Sequence, residues 1–159
     1  LKVVDQVNDE QKHYVPSLVR KRFGDDLTGK HFALWGLAFK PQTDDMREAP
    51  SLVLIRELLE RGAMVTAYDP VATEQAKRIL GEQENLYYAE TMLEAARDKD
   101  GLILLTEWRQ FRQPDWQQLG EALKRKIIFD GRNIYEPVVI IEAGFEYYGI
   151  GRSYIPGRS

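Results

Sequence analysis

Trp35-Gly-Leu-Ala-Phe-Lys-Pro-Gln-Thr-Asp-Asp-Met-Arg-Glu-Ala-Pro50 lies between two apolar segments of different period. Before it, His31-Phe32-Ala33-Leu34 is a short apolar run suited to a strand; after it, from Ser51 to Arg61, apolar residues recur at helical spacing. The stretch is therefore the first strand-to-helix loop of an α/β unit. Such loops gather at the carboxyl edge of a parallel sheet, where ligands bind because loops and helix N-termini converge there.

Downstream, Leu52, Ile55, Leu58 and Leu59 form the helical stripe, and Gly62 follows its end. Strands are expected at 64–68, ending in Asp69-Pro70, at 86–88, at 101–106, at 126–129 and at 145–148, with helices at 72–80, 91–98, 117–124 and 137–143 between them. Gly101-Leu-Ile-Leu-Leu-Thr106 is apolar without alternation, which suits the centre of a parallel sheet covered on both faces. Six strands alternating with helices predict an α/β, Rossmann-like, doubly wound parallel sheet.

Upstream, Val4, Val7, Gln11, Tyr14 and Leu18 recur at spacings of three and four, an N-terminal helix with one seam, in which Pro16 should introduce a kink or start a second helix. Two readings of that seam stay open: a helix packed on its own domain, or the end of a linker helix that meets another domain or subunit. The expected divisions are 1–26 for this helical region, 27–152 for the Rossmann-like domain and 153–159 for a flexible tail; no apolar pattern follows Gly149. A chain beginning at Leu1 within an amphipathic pattern suggests a piece of something longer.

With 159 residues, 43% of them hydrophobic and 30% charged, the chain has enough apolar material for one α/β domain and is unlike a disordered polymer. A formal net charge of −3 favours neither nucleic acid nor an anionic membrane as partner. No apolar run approaches the ~20 residues that span a bilayer. The chain has no cysteine, so disulfides, thiolate metal sites and a thiol nucleophile are excluded within it, in keeping with a cytoplasmic location. His13 and His31 have no second ligand at metal spacing, and no metal is expected.

Three strands end in polar groups: Phe39-Lys40 and beyond after the first, Thr106-Glu-Trp108 after the fourth, Asp130-Gly-Arg-Asn133 after the fifth. In a parallel sheet these ends share one edge, so Lys40 and Arg132 should converge on one cleft, two cations suited to a diphosphate. Gly36 and Gly131 would let the backbone approach a ligand closely. Yet Gly36-Leu-Ala-Phe39 is not Gly-x-Gly-x-x-Gly and no Walker loop is present, so a standard dinucleotide or P-loop site is not signalled. Lys40 could equally be a solvated loop cation, and Arg132 a partner of Asp130 or of Asp44-Asp45. Those two carboxylates are read as structural, drawn to the start of the following helix. Asp69 is read as a turn residue with Pro70 rather than a ribose ligand, and Trp108 and Trp116 as packing residues.

The stretch 35–50, with Ala67-Tyr-Asp-Pro70, Thr106-Glu-Trp108 and Phe129-Asp-Gly-Arg-Asn133, resembles the C-terminal domain of the UDP-glucose dehydrogenases within the UDP-glucose/GDP-mannose dehydrogenase family, over about Val3 to Arg152. The resemblance implies part of an enzyme that oxidises the C6 alcohol of UDP-glucose to a carboxylate with two NAD+. It implies that Phe39, Lys40 and Arg132 contact the nucleotide sugar and that Arg47 reaches NAD bound on another domain. It also implies a homodimer through the central helix, whose end the segment from Val7-Asn8 to Gln11 resembles. The family's NAD-binding domain and its catalytic cysteine have no counterpart here, so no catalytic residue is expected in this chain and it should be inert alone. The alternatives are the same domain of a GDP-mannose or other nucleotide-sugar dehydrogenase, and a non-catalytic nucleotide-binding module.

Overall fold

A computed structural model describes residues 2–156, with side chains from Lys12 onward. Leu1 and the side chains of Val4, Val7 and Gln11 lie outside the described residues, as do 157–159. The elements are α1 (Lys2–Phe23), β1 (His31–Trp35), α2 (Pro50–Glu60), β2 (Met64–Tyr68), α3 (Thr73–Leu80), β3 (Leu86–Tyr88), α4 (Met92–Ala96), β4 (Gly101–Leu104), α5 (Arg109–Arg112), α6 (Trp116–Ala122), β5 (Ile127–Asp130), α7 (Pro137–Glu142), β6 (Glu146–Gly149) and β7 (Arg152–Tyr154). They build one sheet in the order β3-β2-β1-β4-β5-β6-β7. The first six strands are parallel, and β7 pairs antiparallel to β6. The strand order reverses between β1 and β4, the switch point of a doubly wound sheet.

Side-chain alternation along each strand divides the core into two layers. Phe32, Leu34, Ile103 and Phe129 pack with α1 and α2 on one face, where Val15, Val19, Leu54 and Leu58 meet them. Ala33, Trp35, Leu102 and Leu104 pack on the other face against α4, α5 and α6, through Ala95, Phe111 and Leu119. Every residue of β4 is buried, as expected of a strand covered on both sides.

Two features differ from expectation. Pro16 does not start a second helix: α1 runs through it, and the flanking Val15, Leu18 and Val19 are buried. Tertiary packing outweighs the single backbone bond that proline removes. The described half of the α1 seam thus packs on its own domain. The sheet also has a seventh strand in the segment without apolar pattern, because Arg152–Tyr154 needs only backbone groups to pair with β6.

Candidate functional site

The loop after β1 is fixed by groups from three other elements. Gly36 turns away from the strand at φ +99°, and its N–H donates to Tyr68 O at 2.9 Å. A Cβ at Gly36 would lie 2.5 Å from Thr106 Oγ1 and 2.6 Å from its Cβ, so glycine is required by the neighbouring chain rather than by a ligand. Thr106, in the loop after β4, is fully buried and donates its hydroxyl to Ala38 O at 2.6 Å. Ser51, at the start of α2, donates to Leu37 O at 2.5 Å.

Asp69 completes this lock. Its Oδ2 accepts from Leu37 N at 2.7 Å and from Ala38 N at 3.4 Å, while Oδ1 accepts from Val71 N at 2.9 Å and Ala72 N at 2.8 Å. In a dinucleotide-binding domain the acidic residue at this strand end takes a ribose, and the glycine-rich turn offers its amides to phosphate. Here the carboxylate satisfies two of the β1-loop amides itself and is buried. The residues present do not fit NAD in that mode, in agreement with the missing glycine fingerprint.

Beyond Ala38 the loop emerges into a cleft of about 370 Å³ at the carboxyl edge. Phe39, 38% exposed, forms one wall, and the Arg132 guanidinium stands over its ring at 5.8 Å from the centroid. Arg132 Nη2 also donates to Glu107 Oε1 at 3.0 Å, so a carboxylate and an aromatic face together hold the cation. Leu54 and Leu105 supply apolar floor, and α1 contributes Val15 and Lys12. Lys12 is ion-paired with Glu48, which reaches over from the β1 loop.

Lys40 does not share this cleft with Arg132. It is exposed and faces an adjoining shallow depression with Thr43, Asp45 and Arg47, joined to the cleft through Phe39 and Glu48. The expected convergence of the two cations is therefore only partial, because the chain turns outward after Phe39. Arg47 is also on that outer face, with its side chain 89% exposed. Its Nη2 donates to Asp45 Oδ2 at 2.7 Å, and these hydrogen bonds hold the Asp45 carboxyl at about 2, below the usual carboxylate range. Asp45 is structural, as read, but through Arg47 rather than through the start of α2.

Arg132 takes neither partner considered from sequence by its side chain; only its backbone N–H bonds Asp130, at 3.0 Å. Gly131 lines the cleft, yet a Cβ there would meet Leu105 and Leu104 O at 2.8 and 3.0 Å, so its smallness serves chain packing. Trp108 is buried and Trp116 packs edge-on to Tyr135 and Phe145, as packing residues do. Sequence reading missed Lys12, Ile150 and the Glu107 contact. Only Glu107 carried a signal, as part of a polar strand end. The described residues contain no group of three or more His, Asp or Glu placed to hold a metal ion. Within the chain the cleft offers cations, an aromatic wall and carboxylates, the means to bind and orient a polar ligand.

A family model described as the UDP-glucose/GDP-mannose dehydrogenase family, UDP binding domain, matches residues 33–137. The chain belongs to this family. It is 43% identical to the UDP-glucose 6-dehydrogenase of Pseudomonas aeruginosa over 155 residues, 96% of this chain and 34% of that protein. To its Bacillus subtilis counterpart it is 41% identical over 152 residues, again 96% of this chain and 34% of the relative. The chain thus spans about a third of the curated relatives it matches. Among solved structures, a UDP-glucose dehydrogenase of Pyrobaculum islandicum superposes with a TM-score of 0.70 at 36% identity, covering 86% of this chain and 31% of that one. An NDP-N-acetyl-D-galactosaminuronic acid dehydrogenase of Methanosarcina mazei gives a TM-score of 0.73 at 26% identity, covering 96% and 30%. The family match holds the loops of Phe39, Lys40, Arg47, Glu107 and Arg132, whereas β6 and β7 lie beyond it.

Proposed function

We propose that the chain is the nucleotide-sugar-binding domain of an NAD-dependent UDP-glucose 6-dehydrogenase, which oxidises UDP-glucose to UDP-glucuronate. The observation that carries this is the cleft at the β1/β4 switch point, where Arg132 stands over Phe39 and beside Glu107. In this reading the Arg132 guanidinium binds the diphosphate through charge-assisted hydrogen bonds, leaving Glu107 as the carboxylate that parks it when no ligand is bound. Phe39 is the apolar wall, and Lys40 adds a second cation at the rim. The identity to relatives named UDP-glucose 6-dehydrogenase across 96% of the chain supports that choice of sugar nucleotide.

Oxidation of an alcohol to a carboxylate through a covalent thiohemiacetal needs a thiol, and this chain has none. NAD is likewise held elsewhere, since Asp69 closes the turn that would cradle it. The thiol and NAD then belong to a further domain, toward which the exposed Arg47 extends, and the 159 residues alone turn nothing over. We place the enzyme in the cytoplasm as a homodimer joined through the helix that α1 ends. The Methanosarcina neighbour favours a second reading, the same domain acting on another nucleotide sugar.

Calorimetric titration of the chain with UDP, UDP-glucose and GDP tests both. Uridine-selective binding is expected. Preference for GDP would transfer the reading to a GDP-sugar enzyme, and indifference to all three would move the titration to the whole protein.

A further inference from the structure

The loop that presents Arg132 is gripped by two opposite charges. Asp130, fully buried at the end of β5, takes the amides of both loop ends: Arg132 N at 3.0 Å and Tyr135 N at 3.0 Å. The carbonyls are taken by Arg152 on β7, whose Nη2 lies 3.3 Å from Asn133 O and 3.2 Å from Tyr135 O. The same nitrogen donates to the Tyr147 hydroxyl at 3.0 Å, and that hydroxyl donates to Asp130 Oδ2 at 2.8 Å. Cation, phenol and carboxylate therefore form one closed chain around residues 131–135.

The turn between β6 and β7 is tied to the same loop. The Asn133 amide donates to Ile150 O at 2.9 Å and accepts from Ile150 N at 2.7 Å. Tyr14 of α1 accepts from Gly151 N at 2.9 Å. Ile150 lines the cleft that Arg132 lines. A five-residue loop has no repeating backbone pattern to set its position, so these side chains decide where the Arg132 Cα stands. All three contacts come from Nη2, whose two hydrogens are shared among the three acceptors, so this one nitrogen ties both loop carbonyls to the Tyr147 hydroxyl.

We propose that Arg152 is a positioning residue for the cleft. Through the Asn133 and Tyr135 carbonyls and the Tyr147 hydroxyl it holds Arg132 against Phe39 and Glu107, and by anchoring the β6–β7 turn it keeps Ile150 in the wall, so that a nucleoside-diphosphate sugar meets a preformed site. This rests on the nucleotide-sugar reading of the cleft given above. A merely structural arginine would lower stability and leave affinity alone.

The test uses the whole dehydrogenase with Arg132→Ala, Arg152→Gln, Arg152→Lys and the Arg132→Ala/Arg152→Gln double variant, measuring Kd for UDP-glucose and for NAD+ together with Tm. We expect Arg152→Gln to weaken UDP-glucose about tenfold with NAD+ unchanged, and Arg152→Lys to recover part of the loss. The double variant should bind within about twofold of Arg132→Ala alone, because one residue acts through the other. Full additivity, or a lower Tm with UDP-glucose affinity intact, overturns the proposal. Should Arg132→Ala itself leave UDP-glucose binding unchanged, the reading of the cleft fails first and the proposal falls with it. Where Arg152→Gln does not fold, Tyr147→Phe breaks the same chain by losing one hydroxyl; unchanged UDP-glucose affinity in that folded variant likewise overturns it.

Discussion

Asp69 and Arg132 show how one side chain's partners decide its role. Asp69 satisfies four backbone amides, two from each side of the β1 and β2 ends, and leaves nothing for a ribose. Replacing it with alanine strands those donors in a buried setting and should cost roughly 2–5 kcal/mol, read as a lower urea midpoint. Asp69→Asn should recover part of that, since one amide oxygen still accepts. The sequence reading of Asp69 as a turn residue was right in kind, but its hold on Leu37 and Ala38 could not be seen in Asp69-Pro70. Arg132 and Lys40 looked equivalent as loop cations. In the fold Arg132 lines the cleft and Lys40 lies outside it. Arg132→Ala should therefore weaken nucleotide-sugar binding by about 1–3 kcal/mol, and Lys40→Ala by less, in calorimetry on the whole enzyme. Equal losses would return Lys40 to the centre of the site.

Short elements depend on their ends. α4 and α6 have side-chain caps, with Thr91 Oγ1 accepting from Glu94 N and Asp115 Oδ1 from Gln118 N, each at 3.1 Å. Asp115→Ala should cost about 1 kcal/mol in urea unfolding, because it removes the acceptor for Gln118 N. The β1 loop depends instead on Gly36. Its positive φ and the 2.5 Å approach of Thr106 make Gly36→Ala doubly unfavourable, by roughly 2–4 kcal/mol. A variant of wild-type stability would mean that the two loops separate easily. β2 was legible to the residue, because its apolar run is bounded by Gly62 and by Asp69-Pro70. β7 and the four-residue α5 were not: Arg152-Ser-Tyr154 and Arg109-Gln-Phe-Arg112 lack the apolar run that marked the equally short β3.

At the scale of the whole molecule, the amino edge of the sheet carries a pH-dependent group. His31 is half-buried, bonded through Nε2 to Thr66 Oγ1 at 2.7 Å, and burial first, then the nearby Lys99, bring its pKa from 6.5 down to about 4, with Asp100 opposing. Between those values the unfolded chain binds the proton and the folded one does not. Stability is thus fully present above pH 6.5 and declines as pH falls toward 4. Asp45 acts lower, between its ordinary range and about 2, so the two windows separate. Thermal melts at pH 7.5 and 4.5 should show a drop that His31→Gln reduces; parallel pH profiles for both proteins would sink this assignment.

The sequence by itself determined the α/β class, the buried central strand β4 and the family. Those follow from hydrophobic period and from motifs read within a few residues of each other, and such signals survive whatever the rest of the chain does. Only the tertiary structure decided that Arg132 meets Glu107 and Phe39, that Lys40 faces away, that Asp69 closes the turn below them and that Arg152 anchors the loop. Apart from the placement of Lys40, these join groups from separate strand ends, and contacts of that kind come into being only when the sheet brings its carboxyl edge together.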